Sequence, residues 1–144
     1  YDTAWDLEYT IADVKADICD LPFKENEFDV IFCNHGLEHI TDDTKAMQEL
    51  YRVLKPGGFG IFQVPQDVSL AKTFEDDTIT NKKERTKIFG QYDHVRIYGR
   101  DYFDKLKAIG FQVDEVDYTK KIGQEKLNRF CLMPNEILPV CYKL

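Results

Sequence analysis

Residues able to do chemistry gather in three places along this chain. Asp17-Ile18 closes one apolar run and Asn34-His35-Gly36 follows a second, while Gly90-Gln91-Tyr92-Asp93-His94-Val95-Arg96-Ile97-Tyr98 sets aromatic, imidazole and guanidinium groups side by side. A carboxylate just past the carboxyl end of a strand accepts a hydrogen bond from an exocyclic amine. The residue after it offers a backbone N–H and an apolar face to an aromatic ring. Asp17 and Ile18 therefore suit adenine; the alternative is that Asp17 caps the turn before Leu21-Pro22-Phe23. His35 and His39 stand four apart, the spacing that lets two imidazoles share a metal on one helix face. The run is H-G-L-E-H rather than H-E-x-x-H, however, and supplies no obvious third ligand, so no metal site is expected. Asn34 and His35 can also be read as a helix cap with no ligand. His94 and Arg96 either line a ligand pocket or pair with Asp93 and Asp101 to pin their segment.

These groups need a sheet to hold them. Ile11 to Ala16 is a short apolar-rich run, and Phe28 to Cys33 (FDVIFC) is nearly continuous, as expected of a strand covered on both faces. From Asp42 onward Ala46, Met47, Leu50, Tyr51, Val53 and Leu54 form the stripe of a helix lying on a sheet. Thr41 or Asp42 caps it and Pro56-Gly57-Gly58 stops it. Phe59 to Val64 then closes a β-α-β unit. Between Gln66 and Tyr98 the periodicity dissolves into an acidic patch, Glu75-Asp76-Asp77, and a basic one, Lys82 to Lys87, which predicts a long functional or mobile loop. Asp101 is the expected cap of a second helix that buries Phe103, Leu106 and Ile109 and ends at Gly110. Phe111 to Tyr118 reads as a strand, with Glu136 to Tyr142 as its weaker partner.

The order of these pieces, with A-D-I-C-D-L-P-F, then F-D-V-I-F-C-N-H-G-L-E-H-I, then Leu54-Lys55-Pro56-Gly57-Gly58 leading into F-G-I-F-Q-V-P, resembles class I S-adenosylmethionine-dependent methyltransferases of the small-molecule (type 11-like) kind. The resemblance runs from about Asp6 to the C-terminus. It implies an α/β fold, a Rossmann-like mostly parallel sheet with a C-terminal antiparallel strand pair. It also implies S-adenosylmethionine as cofactor and a small-molecule methyl acceptor. Carried over, Asp17 and Ile18 contact adenine, Asn34 and His35 lie near the amino group and the methyl, and Gly36 gives a tight turn or a close backbone approach. Asp6, with Glu8 as alternative, is the candidate carboxylate for the ribose hydroxyls. The Gly90 to Tyr98 segment would face the acceptor, which makes His94 the candidate general base. The family opens with a strand and a glycine-rich loop that do not appear ahead of Asp6. The expectation is a single incomplete domain, residues 1–144, with a lid or substrate insertion at about 66–98 and the N-terminal part of the fold missing. An upstream segment or a second copy, as in a homodimer, would cover the exposed edge.

Composition narrows the alternatives. A 144-residue chain, 43% hydrophobic and 31% charged, buries roughly two-thirds of its unfolded surface and is expected to be soluble. Its apolar runs are strand-sized, so no membrane role is indicated. A net charge of -7 argues against a nucleic-acid backbone as partner, which needs a basic face. Cys19, Cys33, Cys131 and Cys141 lack C-x-x-C spacing and read as reduced thiols in a cytoplasmic compartment. A nicotinamide dehydrogenase would show G-x-G-x-x-G, which is absent. A non-catalytic module on the same scaffold remains the other reading.

Overall fold

The computed structural model describes residues 13–134 and 136–144; Asp6, Glu8 and the start of the Ile11 run lie outside them. Strand β1 (Phe28–Phe32) leads through a single 3-10 turn, Leu37–His39, into helix α1 (Asp43–Val53) and then strand β2 (Leu54–Ile61). The chain continues through β3 (Phe74–Glu75), α2 (Lys82–Phe89), β4 (Arg96–Ile97), α3 (Tyr102–Ile109), β5 (Gln112–Val116), α4 (Thr119–Arg129) and β6 (Leu138–Tyr142). The main sheet has the order β1-β2-β6-β5, and β3 pairs with β4 in a separate ribbon. β1 and β2 run parallel, while β6 is antiparallel to both β2 and β5. The expected C-terminal antiparallel pair is thus present, and β6 rather than β5 joins it to the parallel part.

α1 forms where the stripe requires it, and Asp42, not Thr41, caps it by accepting a bond from the Lys45 N–H at 2.9 Å. Ala46, Met47, Leu50 and Val53 are buried beneath it with Leu54, Phe62, Tyr98, Tyr102 and Leu106, and burying side chains of this size supplies roughly 1.5–3 kcal/mol each. The helix ends two residues before the expected stop. Leu54 is already extended and belongs to β2, and Pro56-Gly57-Gly58 lies inside that strand as an irregularity. Phe28 pairs with Leu54 and Val30 with Phe59, so the extra residues loop out of register. Two glycines make this loop feasible: Gly57 has φ +81°, and a Cβ on Gly58 would stand 2.7 Å from the Asp29 carbonyl oxygen.

Four expectations need correcting. β1 is not covered on both faces: Val30 is 40% and Phe32 66% exposed, because β2 is its only strand neighbour among the described residues. Asp13 to Ala16 form no strand and have no strand neighbour among the described residues; Asp17 forms an isolated bridge with Asp20. The 66–98 stretch is not a structureless loop. It folds as the β3–β4 ribbon around α2, which Asn81 caps through the Lys83 and Glu84 N–H groups and Gly90 ends at φ +91°. Asp101, finally, makes no side-chain cap on α3; its carboxylate accepts from the Thr73 N–H and hydroxyl at 2.7 and 2.8 Å, tying residues 73 and 101 together. α3 correspondingly buries Tyr102 and Leu106 most deeply, with Phe103 and Ile109 half-buried.

Candidate functional site

Two concave regions flank the carboxyl end of β1. The first is a cleft of about 440 Å³, within the usual range for small-molecule sites, whose lining includes His35, Gln66, Arg100, Phe103, Met133 and Glu136. The second is an apolar groove of about 390 Å³ beside the open edge of β1, lined by Ile18, Leu21, Val30, Phe32, Cys33 and neighbours.

The cleft is built where parallel strands end, the position at which open α/β sheets bind ligands. His35 leaves β1 in the left-handed conformation, φ +54°, and its N–H donates to the Gln63 carbonyl at 2.8 Å. Gly36, by contrast, has φ −129° and a Cβ there would meet only Cys33 Sγ at an ordinary 3.5 Å. The tight turn thus falls to His35 and not to Gly36. Its imidazole is 59% exposed on the cleft wall, with Nδ1 3.6 Å from Glu38 Oε1. Across the cleft Glu136 is held by the Gln63 side-chain amide and by the Tyr118 hydroxyl, the latter at 3.1 Å. Gln66 donates to the Gly99 carbonyl at 3.1 Å and Arg100 to the Val68 carbonyl at 2.6 Å. Polar groups thus sit on locked supports between apolar walls.

The groove carries the adenine candidates. Ile18 packs against the core and lines it. Asp17 accepts a bond from the Cys19 N–H at 2.8 Å, the geometry of a turn cap. The following loop is anchored by Glu49, which accepts from the Leu21 N–H at 2.9 Å, and by Arg52, which donates to the Phe23 and Leu21 carbonyls at 2.8 and 3.0 Å. The Arg52 guanidinium beside Glu49 holds that carboxyl below its usual range. Burial pushes the Cys33 thiol up to about 11, with the Glu38 charge adding to the effect, so it stays protonated and is no nucleophile.

His94 does not reach the cleft. It is 5% exposed, its Nδ1 donates to the Phe89 carbonyl at 3.1 Å, and its ring meets that of His39 edge to face at 4.7 Å. Arg96 does pin its segment, but not through Asp93 or Asp101. Its guanidinium donates to the backbone carbonyls of Leu37, Ile40 and Thr41 and to Glu75, with Asp43 at 3.7 Å. Tyr98 adds a 2.8 Å bond to Asp43, and burial drives its phenol far above the ordinary tyrosine value. Of the named candidates among the described residues, His35 alone lines the cleft and Ile18 alone lines the groove; Asn34 follows β1 and lines neither. Arg100, Phe103, Met133 and Glu136 went unread because they come from segments separated by up to thirty-six residues, with no local spacing to unite them.

Comparison with known proteins agrees with this architecture. Residues 3–62 match the family described as "Methyltransferase domain". The ubiquinone/menaquinone biosynthesis C-methyltransferase UbiE of Edwardsiella ictaluri is 43% identical over 72 residues, which is 48% of this chain and 27% of that protein. The 2-phytyl-1,4-naphtoquinone methyltransferase of Nostoc sp. is 51% identical over 43 residues, 30% of this chain and 19% of its own. The chain therefore spans less than a third of the curated relatives it matches. A methyltransferase-like structure from Bacillus halodurans superposes with TM-score 0.56 at 18% identity, covering 90% of this chain and 71% of the other. The YcgJ protein of Bacillus subtilis gives TM-score 0.56 at 19% identity, with 90% and 70% covered. The resemblance to class I S-adenosylmethionine-dependent methyltransferases is thereby shown, by sequence in residues 3–62 and by fold over nine-tenths of the chain.

Proposed function

We propose that this chain serves an S-adenosylmethionine-dependent methyltransferase that acts on a small-molecule acceptor. The observation that carries this reading is the family match of residues 3–62 on a chain with the corresponding fold. The apolar groove beside Ile18 suits the face of an adenine ring, and Asn34 and His35, which follow β1 with His35 on the cleft wall, are read as the methionine end of the cofactor site. When bound, the cofactor supplies a methyl group already activated on a sulfonium. The protein's own contribution is to orient the acceptor in the cleft and exclude water from it, so a dedicated base is not essential. If the acceptor loses a proton, His35, exposed on the cleft wall, is better placed to take it than the buried His94.

The names of the curated relatives point to quinone-type acceptors, and the walls of the cleft, with Val64, Val68, Phe103 and Met133, suit an apolar one. Among the described residues no helix is long and apolar enough to cross a membrane, and all four cysteines are free. The reading therefore extends to a reducing, cytoplasmic compartment. It also takes the 66–98 stretch as the insertion that shapes the acceptor side, and the open edge of β1 as a surface that a further strand of the same fold, or a second copy of the chain, covers.

Calorimetric titration with S-adenosylhomocysteine, using NADH as control ligand, tests the assignment. One-to-one binding of the first and none of the second is expected. Heat from NADH alone, or from neither ligand in a chain extended to the length of its relatives, overturns it. Asp17→Ala should weaken binding by about 1–3 kcal/mol if its carboxylate meets the adenine amine. An unchanged affinity would leave Asp17 as a turn cap.

A further inference from the structure

Beside the 3-10 turn after β1, three side chains converge, and two of them carry buried polar atoms that nothing pairs. Glu38 and His39 come from the 3-10 turn after β1, and His94 from the segment joining α2 to β4. One ligating atom of each lies within 4.8 Å of the others. Glu38 is 2% and His94 5% exposed, yet Glu38 Oε2 and His94 Nε2 are both buried with no hydrogen-bond partner. Leaving such atoms unpaired costs free energy that a folded protein normally avoids.

The tautomers resolve what is missing. His94 Nδ1 donates to the Phe89 carbonyl, so its Nε2 presents a lone pair. His39 Nδ1 lies 3.4 Å from Asp93 Oδ2, and its Nε2 faces Glu38 Oε1 at 3.9 Å. A neutral His39 carries one proton, which can serve Asp93 from Nδ1 or Glu38 Oε1 from Nε2 but not both, and in either case Glu38 Oε2 and His94 Nε2 stay without a donor. An imidazole held by a backbone carbonyl and another oriented by a carboxylate are the arrangements found behind metal-ligating histidines.

We propose that Glu38, His39 and His94 form a divalent transition-metal site, with Asp93 orienting His39. Two imidazoles and one carboxylate are a ligand set that zinc accepts, with a fourth position left for water or another ligand. Two carboxylates, Glu38 and Asp93, balance the charge of the cation. Tetrahedral bonds of about 2.0–2.2 Å set their ligands roughly 3.4 Å apart, so closure on the metal requires side-chain movement on the order of one ångström. The ion would cross-link the 66–98 stretch to the 3-10 turn that follows His35. That link runs beside the backbone bond from Val95 N–H to the Glu38 carbonyl at 3.0 Å. The proposal does not depend on the methyltransferase reading.

The test is calorimetry with Zn²⁺ on the chain freed of metal by a chelator, together with the visible spectrum of its Co²⁺ form and a thermal melt. Expected are one-to-one uptake, a raised melting temperature as metal is added, and a Co²⁺ spectrum of nitrogen and oxygen ligation without thiolate charge-transfer bands. Glu38→Gln and His94→Ala should abolish the one-to-one site, and Asp93→Asn should weaken it by about 10- to 100-fold. Should either of the first two variants fail to fold, the Co²⁺ spectrum of the unaltered chain still decides. No uptake, thiolate bands, or undiminished binding by the folded Glu38 and His94 variants overturns the site, and a water donating to both orphan acceptors would then account for the cluster.

Discussion

The two sides of β1 are held in opposite ways. On the cleft side, Arg96 is 3% exposed and its guanidinium reaches three carbonyls and two carboxylates, while Tyr102 donates to the Phe62 carbonyl at 2.6 Å from a fully buried position. On the groove side, Val30 and Phe32 stand in the open, and the strand edge has no strand neighbour among the described residues. The packing next to the cleft is thus cross-braced, its buried polar groups paired from several segments at once. The groove, among the described residues, is an apolar face beside a strand edge that no neighbouring strand covers.

Substitutions should separate the two sides by the size of their effect on stability. The largest change is expected at Arg96, where Arg96→Ala removes the donor that the Leu37, Ile40 and Thr41 carbonyls share and leaves Asp43 to Tyr98 and Lys105, at a cost of about 3–5 kcal/mol. Denaturant unfolding reads this directly, and a loss below about 1 kcal/mol would mean that the cleft side is not the braced one. Glu49→Gln, at the junction between the groove loop and α1, should cost about 1–3 kcal/mol by weakening the Arg52 and Leu21 bonds. Because folding lowers the Glu49 carboxyl, its stabilisation is complete above the unfolded value of about 4.3 and fades as pH falls through the lower folded value. The unaltered chain should therefore lose stability in that acidic window more steeply than Glu49→Gln does. The smallest effect on stability belongs to the open edge. Phe32→Lys should change it by no more than about 0.5 kcal/mol while reducing self-association in sedimentation runs. A large destabilisation there would show the edge to be covered already.

Much of this arrangement was legible in residue order. The α1 stripe, the FDVIF strand, the β5–β6 pair and the methyltransferase-like succession of loops depend on local periodicity and short motifs, which one segment carries by itself. Even the missed helix α2 had its signals, Asn81 at one end and Gly90 at the other, hidden by a run of charge that buries little apart from Phe89. Other assignments failed because they concern what lies opposite. Phe28 to Cys33 reads as a doubly covered strand, yet apolar composition does not say whether a neighbour is there to cover it.

Sequence alone thus determined the class of fold and the order of the loops that follow its strands, since strand ends and helix caps follow from neighbouring residues. Only the tertiary structure decided that His35 faces the cleft while His94 turns inward to meet Glu38 and His39 across a separation of more than fifty residues. Contacts of that span arise from the packing of the 66–98 stretch onto the 3-10 turn, and no local pattern encodes which of two histidines that packing will bury.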